Sequence, residues 1–123
     1  MPLIQHASVT HEFFPGGATY QTLVGDERGS TPLRLGLQTA PPGYRTRLHS
    51  HPYLEVLTVV SGEAEAWSEE HDPLVRLAAG ITLILPANIK HWFRVVGDEP
   101  LKIYGIHASP FRIVEVHREC DAE

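Results

Sequence analysis

The chain has 123 residues and a mass of 13.7 kDa, which is enough for one domain (residues 1–123) and too little for two. Its hydrophobic content of 42% and charged content of 20% are ordinary for a globular protein and exclude a disordered chain. The net charge is −5 and no basic run could follow a phosphate backbone, so we expect no nucleic-acid partner.

Short segments rich in branched and aromatic residues alternate with glycine, proline, aspartate and asparagine, a pattern that predicts an all-β protein. Many short strands at this spacing are typical of a β-sandwich or barrel, here with a core over about residues 31–117. In chain order the predicted strands are Tyr20–Val24, Leu33–Thr39, Leu54–Val60, Glu63–Trp67, Leu74–Leu77, Thr82–Leu85, His91–Val96, Leu101–His107 and Phe111–His117.

Two of these strands predict which side chains face the core. In the strand that starts at Leu33, the leucines alternate with Arg34, Gly36 and Gln38, so we expect the leucine face to be buried. In Leu101–His107 both faces are apolar, which indicates that the strand is covered on both sides.

Cysteine content and hydropathy predict the compartment. Cys120 is the single cysteine, so no disulfide can form within the chain and a reducing cytoplasm fits. The longest apolar stretch, Ala78–Ala87, is too short to cross a bilayer. We therefore expect a cytoplasmic protein without a membrane partner.

The chain has eight histidines, and the spacing of some of them indicates a metal site. His49, His51 and Glu55 are separated by even numbers, so on one extended segment they would point to the same side, and His91 could join them from another strand. Three imidazoles and a carboxylate suit Mn, Fe, Ni, Co or Zn. On spacing alone, a chance cluster at the surface or a hydrogen-bonded core pair explains the pattern equally well.

The residues around these histidines resemble the two sequence motifs of the cupin family. The first motif is matched at every position by Gly43, His49, His51, Glu55 and Gly62. The second motif is matched at its first glycine, its proline and its histidine by Gly80, Pro86 and His91. It departs at two non-ligand positions, where Asn88 replaces glycine and Val95 replaces asparagine.

The resemblance implies a cupin double-stranded β-helix, or jelly-roll barrel, formed by a single small domain. It also implies that His49, His51, Glu55 and His91 bind one divalent ion inside the barrel, and that two chains pair as a homodimer through their sheets. Because the ligands leave coordination positions open, a small molecule could bind the ion directly.

Other side chains near the motifs are candidates for the same site. Tyr53 could hydrogen-bond a metal-bound oxygen, and His107 could be either a proton acceptor beside the site or a satisfied core histidine. Arg45 and Arg47 share the parity of His49, so a guanidinium could hold a substrate carboxylate, or both could be solvated. The residues expected to line the cavity and bind substrate are Arg47, Leu57 and Phe93.

Two functions follow from this interpretation. The first is a metal-dependent enzyme of dioxygenase, isomerase or cyclase type acting on a small organic molecule, with Glu55, Tyr53 and His107 as candidate catalytic residues. The second is a binding or sensing module that holds a metal and a small molecule without converting it.

Overall fold

The computed structural model describes residues 1–119, without the side chains of His71 and Asp72, so Cys120 and the expectation about disulfides lie outside the described residues. A single 3₁₀ turn covers His6–Ser8. No helix in residues 1–119 has the length and apolar character needed to span a membrane. The strands are β1 (Glu12–Phe13), β2 (Thr19–Val24), β3 (Arg34–Ala40), β4 (His49–Ser50), β5 (Glu55–Ser61), β6 (Glu63–Ser68), β7 (His71–Ala78), β8 (Thr82–Leu85), β9 (His91–Val96), β10 (Leu101–His107) and β11 (Glu115–Val116).

The strands form two antiparallel sheets, and the predicted all-β fold is confirmed. The first sheet has the order β1-β2-β3-β10-β5-β8 and the second the order β11-β4-β9-β6-β7. Leu57 and Ile103 of the first sheet share one buried cluster with Ala64, Phe93 and Val95 of the second, so the inner faces of the two sheets build a common core.

The last predicted strand, Phe111–His117, is wrong over most of its length. Only Glu115–Val116 pairs with a neighbour, β4, and residues 111–114 are irregular. The reason lies at Ile113, whose backbone N–H and carbonyl bond to side chains of Tyr53 and His51 instead of to a strand. The sequence pattern also misses the short strands β1 and β4, which are too short to show a periodicity.

The predicted orientation of β3 is reversed. Arg34 and Gly36 are buried, whereas Leu33 is 40% exposed and Leu35 is only partly buried. The polar face of β3 looks into the barrel because the interior holds a polar cluster as well as apolar packing. Part of the outer face is covered by the N-terminal segment, since the Gln21 amide donates to the carbonyl of His6 at 2.6 Å and to that of Val9 at 3.1 Å.

The polar cluster lies at one end of the barrel, and the apolar core extends from beside it to the other end. β5 begins at Glu55, which is paired with His107 of β10, while at the other end Val59 and Ile103 are paired within the apolar core. Because antiparallel partners run in opposite directions, the polar ends of β5, β9 and β10 meet at one end of the molecule.

Candidate metal centre

The four residues of the predicted metal site come together in space, although not by the route that their spacing suggests. His49 lies on β4 and is paired with His91, the first residue of β9. After Ser50 the chain leaves the second sheet, and Glu55 begins β5 in the first sheet. The expectation of one extended segment is therefore wrong, because Pro52 interrupts the strand and the chain crosses between the sheets.

One potential ligand atom from each residue lies within 4.8 Å of the other three. His51, Glu55 and His91 are buried, with exposures of 5%, 7% and 4%, and His49 is partly buried. Oε1 of Glu55 lies 3.4 Å from Nε2 of His51 and 3.3 Å from Nε2 of His91, close to the roughly 3 Å between neighbouring ligands that are each about 2.1 Å from one ion. The donor set therefore fits a divalent transition metal.

Backbone carbonyls orient the three imidazoles toward the cluster. The Nδ1 atoms of His49, His51 and His91 lie 2.6, 2.7 and 2.9 Å from the carbonyl oxygens of residues 47, 113 and 89. A carbonyl can only accept, so each Nδ1 carries the proton and donates it. In the neutral rings the Nε2 lone pairs are then free, as a metal ligand requires.

Glu55 offers one carboxylate oxygen to the cluster and uses the other for a hydrogen bond. Its Oε2 accepts a hydrogen bond from Nε2 of His107 at 2.8 Å. Its Oε1 lies 3.3 Å from Nε2 of His91, and within residues 1–119 neither of these buried atoms has a hydrogen-bond partner. Two facing acceptors without partners are unfavourable unless a proton or a cation lies between them, which supports the fit of a metal.

The same contacts set the charge of Glu55. Burial by itself would raise the pKa of the Glu55 carboxyl, but the hydrogen bond from His107 and the two adjacent imidazoles outweigh it and hold the pKa well below 4.5. For His51, burial acts to lower the pKa, yet the neighbouring Glu55 carboxylate raises it overall above 6.5. Protons therefore compete with a metal at His51 more than at His49, whose pKa is lowered by burial.

Tyr53 and His107 form hydrogen bonds that hold the candidate ligands His51 and Glu55 in place. The Tyr53 hydroxyl donates to Nδ1 of His107 at 2.9 Å and accepts from the backbone N–H of Ile113 at 3.2 Å. It also lies 3.2 Å from Nδ1 of His51. The Tyr53 hydroxyl was expected near a metal-bound oxygen, but in the structure it contacts the Nδ1 atoms of His51 and His107. His107 in turn donates a hydrogen bond to Glu55.

The cluster opens into a cavity of about 600 Å³. Arg47, Leu57 and Phe93, the residues expected to bind substrate, all line it. Arg47 is exposed and has no ion-pair partner among residues 1–119, whereas Arg45, which also lines the cavity, pairs with Glu119. Both arginines are thus exposed, and Arg47 is the one that is available to a ligand.

Several cavity residues escaped the sequence reasoning. They lie on β2 and β3, in the segments just before β2 and just after β3, and in the segment after β10, and none is at a defining position of the motifs. The assignment of the leucine face of β3 to the core concealed those on β2 and β3. Treating the polar face of β3 as the inner one would have identified Gln38 and, opposite it on β2, Tyr20. The missed lining residues include Phe14, Tyr20, Gln38, Tyr44 and Arg112.

The pKa of His49 makes a prediction for the metal-free protein. Burial, together with nearby His91, lowers the pKa of His49 from 6.5 to about 4. Between these values the unfolded chain binds a proton that the folded chain does not, so acidification destabilises the fold. When the pH falls from about 7 to about 4.5, the free energy of unfolding should decrease in both proteins. The decrease should be roughly 1–3 kcal/mol smaller in His49→Gln than in the wild type. Urea denaturation with EDTA present measures this, and equal losses in both proteins would contradict it.

Sequence and structure comparisons identify similar proteins. Residues 36–107 match the model of the cupin domain family. The chain is 36% identical to the polyketide synthase CurC of Streptomyces cyaneus over 83 residues, which cover 67% of this chain and 52% of CurC, so it spans about half the length of that relative. It is 30% identical to protein SchB of Streptomyces halstedii over 96 residues, which cover 77% of this chain and 67% of SchB.

Two solved structures share the fold. A cupin-like protein from Thermotoga maritima superposes with a TM-score of 0.75 at 28% identity, covering 95% of this chain and 89% of that one. The polyketide cyclase RemF from Streptomyces resistomycificus superposes with a TM-score of 0.82 at 17% identity, covering 98% of this chain and 88% of that one. The expected jelly-roll architecture is confirmed by these similarities.

Proposed function

Because the chain belongs to the cupin family, we propose that it is a metal-dependent enzyme that acts on a small organic molecule carrying oxygen substituents. One observation carries this proposal: three imidazoles and a carboxylate converge beside a cavity with mostly apolar walls. Such a cavity holds the body of a small molecule through apolar contact, while a few polar groups fix its orientation.

His49, His51, Glu55 and His91 would hold one ion of Mn, Fe, Ni, Co or Zn. A bound divalent ion would polarise the hydroxyl and carbonyl oxygens of a substrate and make the hydroxyl more acidic. The chain supplies the remaining functions. Leu57 and Phe93 give the cavity apolar walls, and the Glu55 carboxylate would accept the released proton through Oε1 after leaving the ion.

Arg47 would select among such substrates. It lines the cavity without an ion pair inside residues 1–119, so its guanidinium can bind a carboxylate or an enolate on the part of the molecule nearer to solvent. Arg45 is engaged by Glu119 and by the face of Trp92, with its Cζ atom 4.2 Å from the ring centroid, and contributes less.

Ring closure is the reaction that the similar proteins favour. One is named a polyketide synthase and another a polyketide cyclase, and these names point to oxygenated chains that are folded and cyclised. A proton acceptor beside polarised carbonyl groups suits this chemistry, because forming a carbon–carbon bond next to a carbonyl starts with loss of a proton from carbon.

The test begins with elemental analysis of untagged protein purified without added metal. The protein is then mixed with linear β-diketones and phenolic ketones while absorbance and oxygen uptake are recorded. We expect a spectral change without oxygen uptake that EDTA abolishes and the native ion restores. Oxygen uptake would instead identify a dioxygenase, and binding without conversion would identify a sensing module. The proposal would be overturned if the purified protein contains no ion and its melting temperature does not rise with added Mn, Fe, Ni, Co or Zn.

We also propose that the protein is a homodimer that pairs through the outer face of the first sheet. Leu35, Ile106, Val56 and Ile84 are directly opposite one another across β3, β10, β5 and β8, so they form a continuous apolar row. Ile106 and Ile84 are 38% and 62% exposed, and the strand expected to be covered on both sides is thus open on its outer side in the single chain. Light scattering should give about twice the chain mass of 13.7 kDa, and Ile84→Glu should give a monomer.

A further inference from the structure

Tyr20 is a cavity residue that the metal ligands do not explain. It lies on β2 opposite Gln38, lines the cavity and is only 9% exposed. No hydrogen bond to its hydroxyl is present within residues 1–119, and its oxygen is not among the fully buried polar atoms that lack a partner, so it is reachable from the cavity. The hydroxyl is therefore available to a ligand in the cavity.

The Tyr20 hydroxyl occupies the space that a side chain at position 36 of β3 would fill. A Cβ atom at Gly36 would overlap the hydroxyl oxygen of Tyr20 and lie 2.7 Å from its Cε1. Gly36 does not have the positive φ that favours glycine, so the residue is small because the phenol occupies its space.

A second glycine connects this position to the metal ligands. Gly36 is paired with Gly105 on β10, and a Cβ atom at Gly105 would lie 4.0 Å from Oε2 of Glu55. Between the phenol and the carboxylate the sheet thus carries two glycines, with Cδ2 of Leu57 lying 3.3 Å from the position of a Cβ atom at Gly105. A flat molecule that packs against Leu57 and reaches Glu55 would bring its far edge to the Tyr20 hydroxyl.

The ring of Tyr20 is held rigidly. The guanidinium of Arg112 lies over it, with its Cζ atom 4.7 Å from the ring centroid, and Phe14 packs beside it at a centroid distance of 5.7 Å. Arg112 is fixed in turn by a two-pronged ion pair with Glu12, with distances of 2.8 and 3.1 Å. Burial raises the pKa of Tyr20, so the hydroxyl keeps its proton near neutral pH and acts as a donor.

We infer that Tyr20 is a specificity-determining residue whose hydroxyl donates a hydrogen bond to an oxygen on the edge of the substrate opposite the metal ligands. This inference rests on the proposed function of the cluster. It narrows the substrate to a flat molecule that has a hydroxyl beside a carbonyl at one edge and a further oxygen, as a carbonyl or phenol, at the other.

The test uses protein loaded with Co²⁺ and measures dissociation constants by calorimetry. The reference probe is 2-hydroxyacetophenone, which has only the hydroxyl beside the carbonyl. The comparison probes are its 2,4-, 2,5- and 2,6-dihydroxy analogues, which place a second oxygen in three directions. We expect at least one analogue to bind about three- to tenfold more tightly than the reference probe, the range that a single net hydrogen bond supplies.

In Tyr20→Phe the ratio of the two dissociation constants should fall to about one, whereas in Tyr104→Phe, which removes a hydroxyl on the outer face of the sheet, the ratio should stay at the wild-type value. A preference that persists in Tyr20→Phe, or the absence of any preference in the wild type, would overturn the assignment of Tyr20. A reference probe that binds equally with and without Co²⁺ would overturn the proposed function first, and the inference with it.

Discussion

His91→Ala is expected to weaken Zn²⁺ or Co²⁺ binding by at least about 100-fold, since loss of a group that only supports a ligand already costs about 10- to 100-fold. The substitution removes one of the four donors and with it the nitrogen nearest to Oε1 of Glu55, at 3.3 Å. It also removes a buried nitrogen that has no hydrogen-bond partner in the described chain. The ring also donates its Nδ1 proton to the carbonyl of Ile89 at 2.9 Å, so the metal-free variant should melt somewhat below the wild type, and the additional loss in the metal-loaded protein reports the missing ligand.

Competition with a chromophoric chelator measures the affinity, and melting temperatures with and without the ion give an independent value. His11→Ala is the matched control, because His11 is an exposed imidazole far from the cluster in sequence. Equal affinities for His91→Ala and the control would show that the cluster is not the metal site. If the metal-free variant melts well below the wild type, His91 has a packing role in addition.

Gly62→Ala is expected to lower the free energy of unfolding by roughly 2–4 kcal/mol, as the sum of backbone strain and a steric clash. Gly62 has a φ of 81°, which is unfavourable for any residue with a Cβ atom. The added Cβ would also overlap the carbonyl oxygen of Pro100 and lie 2.8 Å from Cα of Leu101. Both neighbours are backbone atoms at the start of β10, so relief requires a shift of the strand that carries His107 at its other end.

Gly80→Ala separates the two contributions. Gly80 has nearly the same φ, 88°, but a Cβ atom there would have no heavy atom within 4 Å. It should lose only about 1–2 kcal/mol from backbone strain. Urea denaturation of the two variants gives the difference directly, and equal losses would show that the contact with Pro100 and Leu101 is relieved without cost.

The strands that are rich in branched residues and bounded by turn residues could be predicted closely from the sequence. Thr82–Leu85, His91–Val96 and Leu101–His107 have the predicted ends, because branched residues between turn residues leave few alternatives. β4 and the segment before β11 could not be predicted, because their structure depends on bonds from side chains distant in sequence, such as those of Tyr53 and His51 to Ile113.

For the candidate site, the sequence by itself determined the set of candidate ligands. His49, His51, Glu55 and His91 could be chosen because they stand at the ligand positions of the two cupin motifs, whereas their spacing alone is explained equally well by chance or by a hydrogen-bonded core pair. The even spacing did not produce their convergence, since the chain changes sheets between His51 and Glu55.

Only the tertiary structure decided which way each group faces. Whether β3 turns its leucines or Arg34 inward, whether Tyr53 points to the cavity or to His107, and whether Tyr20 reaches the cavity all depend on contacts between residues far apart in the chain. Alternation along a strand distinguishes two faces but does not say which is the inner one. When the interior holds polar ligands as well as apolar packing, hydrophobicity no longer identifies the inner face, and the neighbouring strands determine it.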